Sequence, residues 1–195
     1  MLQSSEACER NKDPLLNVLR SAFARRGRVL EIGSGTGQHA VYFAAQLPHL
    51  LWYPTDQLAR LPALTARIDA EGGSNLRRPA TLDVHQAVWP VQSVDAVFTA
   101  NTLHIMGWDG VTALFDGVDR VLAAHGSLAV YGPFRYGNRY TSESNQAFDR
   151  MLRSRDPQSG LRHVEQVTTL AAGIGLALME DHDLPAFNRL LVFER

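Results

Sequence analysis

The chain has 195 residues, 45% hydrophobic and 20% charged, with a formal net charge of −1. That is enough to bury one sizeable core, and it is too apolar for a disordered segment. The near-neutral balance and the lack of a basic tail argue against a general nucleic-acid binder, so the arginines at 25, 26, 28, 77 and 78 read as solvated strand flanks. In chain order, Leu15, Leu16, Leu19, Ala22 and Phe23 predict a helix over 15–23, ended by Gly27. RVLEIG (28–33) reads as a buried strand, 38–47 as a helix and LLWYPTD (50–56) as a second strand. Pro62 falls in the first turn of a helix carrying Leu64 and Ile68, which Gly72 and Gly73 break. A third strand is expected within 76–82 and a fourth at SVDAVFTAN (93–101). Val111, Leu114, Phe115, Val118, Val121 and Leu122 form an amphipathic stripe stopped by Gly126, and SLAVYG (127–132) is a fifth strand. Residues 133–143 read as a polar, aromatic loop, followed by helices over 144–154 and 164–173. LALMED (176–181) and RLLVFER (189–195) are close enough to pair as an antiparallel hairpin. Alternating strands and helices predict one doubly wound α/β domain over 1–195, a mostly parallel sheet with helices on both faces.

In such a sheet the turn after the first strand is the usual ligand site. Here it is EIGSGTG (31–37), and Gly33, Gly35 and Gly37 offer a ligand bare backbone. The spacing is G-x-G-x-G, not the dinucleotide G-x-G-x-x-G, and no G-K-[ST] follows to make a phosphate loop. Glu31 would repel a pyrophosphate and attract a cation, which suits S-adenosylmethionine, a nucleoside with an ammonium, a sulfonium and no phosphate. Asp56 closes the second strand, where an acid can read a ribose diol, and Asp83 closes the third. Each is equally readable as a helix cap.

EIGSGTG resembles motif I of the class I S-adenosylmethionine-dependent methyltransferases. RNKDPLL, EIGSGTGQHAVYFA, NTLHIMGW, YGPF, SNQAFDRML and LPAFNRLLVFER together resemble the methyltransferase-like 26 family, a domain of unknown function, almost end to end. The chain departs from that family's pattern at Phe187, in LPAFN, and at His163. The resemblance implies a Rossmann-like fold with a seven-stranded sheet and an antiparallel C-terminal strand. It implies S-adenosylmethionine as cofactor, with S-adenosylhomocysteine as product. Glu31, Gly33, Ser34, Gly35, Gly37, Asp56, Asp83, Val84 and Asn101 would contact that cofactor.

His104 follows the fourth strand and is the candidate base for a hydroxyl acceptor, or else a histidine that packs or bonds a loop carbonyl. Its surroundings, LHIMGWDG, faintly resemble the L-H-D-W-S-D-E segment of plant O-methyltransferases. Lys12, His39, Tyr131, Phe134, Arg135 and Tyr140 are candidate acceptor contacts. Residues 1–26, with Arg10, Asn11 and Lys12 ahead of the first helix, form a candidate lid, and 132–160 a candidate cap. The seven histidines show no metal-ligand spacing, and no serine has a nucleophile-elbow context. A single cysteine, Cys8, fits a reducing compartment. No secretory or membrane-spanning run is present, so a cytoplasmic location is expected. The reading is a small-molecule methyltransferase without nucleic-acid or membrane partners. A cofactor-binding protein without transferase activity is the main rival, and a protein or nucleic-acid methyltransferase or a nicotinamide oxidoreductase fits less well.

Overall fold

The computed structural model describes residues 2–195. Met1, the first residue of the expected domain, lies outside them. The first half of the chain holds α1 (Glu6–Ala22), β1 (Arg28–Ile32), α2 (Gln38–Gln46), β2 (Leu51–Asp56), α3 (Leu61–Glu71), β3 (Ala80–Thr81) and β4 (Val94–Ala100). The second holds α4 (Trp108–Val121), β5 (Leu122–Gly132), β6 (Phe134–Tyr136), β7 (Arg139–Tyr140), α5 (Glu143–Arg155), β8 (Arg162–His163), α6 (Val164–Gly173), β9 (Ala177–Leu184) and β10 (Asn188–Glu194).

Seven strands form one sheet in the order β3-β2-β1-β4-β5-β10-β9. The first five run parallel, and β10 lies antiparallel between β5 and β9. This is the expected Rossmann-like arrangement with an antiparallel C-terminal strand. Strand order reverses between β1 and β4, so the glycine turn after β1 sits at the topological switch point.

Alternation along the strands sends neighbouring residues to opposite faces. Leu30, Val97, Leu128 and Leu191 pack with α4 and α6 on one face. Val29, Phe98, Tyr131 and Leu190 pack with α1, α2 and α3 on the other. Trp52, Phe43 and Phe98 are fully buried there with their rings in mutual contact, and each contributes about 2–3 kcal/mol of apolar burial.

Four expectations change. The first helix starts at Glu6, with Ser5 accepting from the Cys8 N–H as its cap, so Arg10, Asn11 and Lys12 lie inside α1 rather than ahead of it. Pro14 is interior to that helix. The third strand is only Ala80–Thr81, extended by an isolated bridge between Trp52 and Leu76. The helix after β4 ends at Val121 rather than at Gly126, because β5 starts at once with Leu122. The loop over 133–143 contains β6 and β7, which form a second, three-stranded sheet with β8. That small sheet holds α5 beyond the carboxyl end of β5.

Candidate functional site

A cavity of about 530 Å³ opens beyond the carboxyl ends of β1, β2 and β4. The turn after β1 forms its floor. Gly33 and Ser34 donate their N–H groups to the Thr55 carbonyl at 3.0 and 2.9 Å, which ties the turn to β2. Gly33, Gly35 and Gly37 all have positive φ (76°, 58° and 80°), but they answer different needs. A Cβ at Gly37 would stand 2.8 Å from Leu64 Cδ1, so this position serves the packing of α2 on α3. At Gly35 nothing lies within 4 Å of where a Cβ would stand. That side of the backbone faces open space within the cavity.

Asp56 lines the cavity, its Oδ2 accepting from the Gly35 N–H at 2.6 Å and its Oδ1 from the Gln57 N–H at 2.7 Å. Leu82 and Val84 add an apolar wall. Asp83, between them, is not on the lining, and its Oδ1 accepts from the His85 N–H at 3.0 Å. Asn101 and Thr102 close the β4 side. Asn101 takes φ 57°, which asparagine tolerates, and donates its N–H to the Tyr131 carbonyl at 2.8 Å. Arg60 is the basic side chain on the rim.

Glu31 is not on the lining. Its carboxyl is buried, 2% exposed, and accepts from Trp52 Nε1 at 2.8 Å and from the Ser34 hydroxyl. Burial pushes its pKa up to about 7, against the pull of those two donors. This carboxylate, which the sequence reading set against an incoming cation, also bonds the glycine turn through Ser34.

The N-terminal turn of α1, inside the segment 1–26 expected as a lid, supplies a wall through two residues that sequence reading did not name. Ser5 and Cys8 line the cavity, and the Ser5 N–H donates to Gln38 Oε1 at 2.6 Å. Burial pushes the Cys8 thiol up to about 12, so it stays neutral. The available signal was a Ser5 cap followed by Cys8, Asn11 and Leu15 at helical spacing. His39 also lines the cavity. It stacks on Phe43 at 5.2 Å, and its Nε2 lies 2.7 Å from Asn11 Oδ1. Burial lowers its pKa to about 4, leaving a neutral ring.

His104 does not line the cavity, although its neighbours Thr102, Ile105 and Met106 do. Its ring is 6% exposed, edge-on to Phe148 at 5.5 Å, with Nδ1 near Gly132. Burial, then the Arg162 charge, lowers its pKa to about 4. Segment 158–162 grips this loop. The Gly160 N–H donates to the His104 carbonyl at 2.9 Å, and Arg162 Nε donates to the Leu103 carbonyl at 2.9 Å. Arg162 Nη2 donates to the carbonyls of Met106 and, at 3.0 Å, of Gln158.

The remaining candidates lie off the cavity. Phe134 is fully buried in the core beside α6. Tyr131 is 2% exposed, its hydroxyl accepting from Asn188 Nδ2 at 2.9 Å and from Asn11. Arg135 stacks over the Tyr140 ring at 4.5 Å and donates to its hydroxyl at 3.2 Å. Tyr140 in turn donates to buried Asp149 at 2.8 Å. Asp149 also accepts from Arg153 Nε at 3.1 Å and from the Leu161 N–H at 2.7 Å. Lys12 pairs with Glu9 on α1 and sits over the Tyr42 ring. Among the described residues, no group of three or more His, Cys, Asp or Glu could hold a metal, and no helix is long and apolar enough to cross a membrane.

A doubly wound sheet whose ordered strands end in β10 and β9, with a bare glycine turn at the switch point, defines the Rossmann-like fold of class I methyltransferases. Solved structures superpose on it. An O-methyltransferase family protein from Burkholderia thailandensis aligns at TM-score 0.83 and 18% identity over 97% of this chain and 57% of its own. The S-adenosylmethionine-dependent methyltransferase SibL, in its apo form, aligns at 0.80 and 20% identity over 97% and 55%. Human N-acetylserotonin methyltransferase, in complex with S-adenosylmethionine, aligns at 0.81 and 14% identity over 97% and 53%. The chain thus spans little more than half the length of these structures, and at such identities they share its fold. By sequence, residues 2–195 match the family described as "Protein of unknown function (DUF938)", and the chain belongs to it.

Proposed function

We propose that this protein transfers the methyl group of S-adenosylmethionine to a small molecule, with His104 as the base for a hydroxyl acceptor. The observation that carries the reading is the open space over Gly35, in a cavity that also exposes Asp56 and an apolar wall. Its volume of about 530 Å³ suits a ligand of nucleoside size. Bound there, the cofactor would supply a methyl already activated on a sulfonium.

The residues would divide the work as follows. Asp56 accepts hydrogen bonds from the ribose hydroxyls, and Leu82 and Val84 cover the base. Gly33, Ser34 and Gly35 present backbone to the ligand, Gly37 packs the helix that follows, and Asn101 with Thr102 bounds the methyl side. Glu31, held by Trp52 and Ser34, fixes the turn. Burial and the Arg162 charge keep the His104 ring neutral, so it is free to accept a proton but is a weaker base than an exposed imidazole. The resemblance to the methyltransferase-like 26 family and the folds of the superposed methyltransferases support the same reading.

One observation favours a second reading, a cofactor-binding protein that transfers nothing: His104 is nearly enclosed and does not line the cavity. The two are separated in sequence. S-adenosylmethionine and S-adenosylhomocysteine should raise the melting temperature and a nicotinamide dinucleotide should not. The reverse result overturns the cofactor assignment. Transfer of labelled methyl from S-adenosylmethionine into a metabolite extract then distinguishes the enzyme from the binder.

A further inference from the structure

We propose that Arg162 is the positioning residue for His104: its guanidinium bridges the carbonyls on either side of that histidine and so fixes the imidazole against Phe148. The inference rests on the reading of His104 as the base, and it goes beyond that reading by assigning what holds the base in place.

Arg162 is 7% exposed, and among the described residues no carboxylate lies within ion-pair distance of it. Its three acceptors are main-chain carbonyls, those of Leu103, Met106 and Gln158, and its plane lies 5.8 Å over the Trp108 ring. A buried guanidinium with no carboxylate in direct contact is an expensive way to fill space. What it provides is a rigid planar fork that reaches two carbonyls of one turn at once. Leu103 and Met106 bracket His104, and the His104 carbonyl itself is taken by the Gly160 N–H, two residues before Arg162. Three carbonyls of the loop are therefore fixed from a single segment.

The imidazole has no side-chain hydrogen-bond partner among the described residues; its ring contact is Phe148, edge-on at 5.5 Å. With no orienting carboxylate of its own, the ring takes its direction from its backbone, and that backbone is held by Arg162. The positive charge nearby also disfavours the imidazolium, in line with the lowered pKa of His104. The other charged groups around Arg162 are Arg153, Asp149 and Asp156. Lysine would keep the charge and lose the fork, since one ammonium cannot replace two aligned donors on a planar frame.

The test uses the full chain as Arg162→Lys and Arg162→Met. The His104 ring protons are assigned in the carbon–proton NMR spectrum by their loss in His104→Gln. In the unaltered protein one sharp set is expected, shifted by the Phe148 ring. In both Arg162 variants that set should broaden and move toward the position of free histidine, while affinity for S-adenosylmethionine by calorimetry stays within about twofold. If Arg162→Met fails to fold, Arg162→Lys decides alone, because it retains length and charge. His104 signals that coincide with those of the unaltered protein in a folded variant overturn the proposal. That failure is distinct from failure of the base reading, in which His104→Ala would keep full methyl turnover whatever its ring signals in the Arg162 variants.

Discussion

The two halves of the carboxyl edge are built on opposite plans. Around β1 and β2 the chain offers bare backbone, open space over Gly35 and a short apolar wall. Beyond β5, the space under α5 is filled by side chains that bond one another: Arg135 on Tyr140, Tyr140 and Arg153 on Asp149, Arg162 on the loop of His104. The first half is shaped in advance for a ligand. The second is a polar assembly, and its His104 does not line the cavity that its neighbours Ile105 and Met106 reach.

The largest expected effect tests the open half. Gly35→Arg places a side chain in the space over the turn, and affinity for S-adenosylmethionine should fall more than about a hundredfold by calorimetry. The fold should survive, since the cost of a left-handed non-glycine residue is about 1–2 kcal/mol. Undiminished affinity would put the ligand elsewhere. His104→Ala tests the second half: kcat should drop by about 10²–10⁴ with cofactor affinity unchanged, read from steady-state turnover once an acceptor is in hand. Asp149→Ala strands the Tyr140 hydroxyl, the Leu161 N–H and the Arg153 guanidinium, and denaturant melts should show a loss of about 3 kcal/mol. Cofactor affinity of the folded fraction should hold; a matching fall would mean that the halves act as one unit.

The smallest effect concerns Glu31, bonded to the turn through Ser34. The folded pKa of Glu31, about 7, lies above the ordinary 4.5. The native state therefore holds its proton longer than the unfolded chain. The stability this group contributes is full below about pH 4.5, declines as pH rises toward 7 and is flat beyond. Glu31→Gln keeps an acceptor for Trp52 and removes that decline. It should come close to the unaltered protein near pH 4.5 and be the more stable of the two at pH 8, measured by melts at both pH values.

Much of the fold could be read from periodicity, because the strands of the central sheet are apolar runs set between helices with clear stripes. The α4 stripe and the closing hairpin are the plainest cases. The start of α1 was hidden by two features. Pro14 usually marks a helix's first turn yet lies mid-helix here, and Asn11, expected ahead of the helix in a candidate lid, is buried within it and bonds His39. The cavity's glycines and Asp56 were visible because backbone exposure and strand-end acids have local signatures. The hydrogen bond from Trp52 to Glu31 was not, since nothing local to either residue pairs them. Arg162 left no signal, because its acceptors are carbonyls, two of them 59 and 56 residues away in sequence, and carbonyls carry no sequence information.

The insertion of β10 between β5 and β9 also affects how the molecule is made. All other described strands leave the ribosome before residues 188–194, yet the outermost strand can attach only through them. Until that segment emerges, the flank of β5 is an unpaired strand edge of the kind prone to pair with other chains.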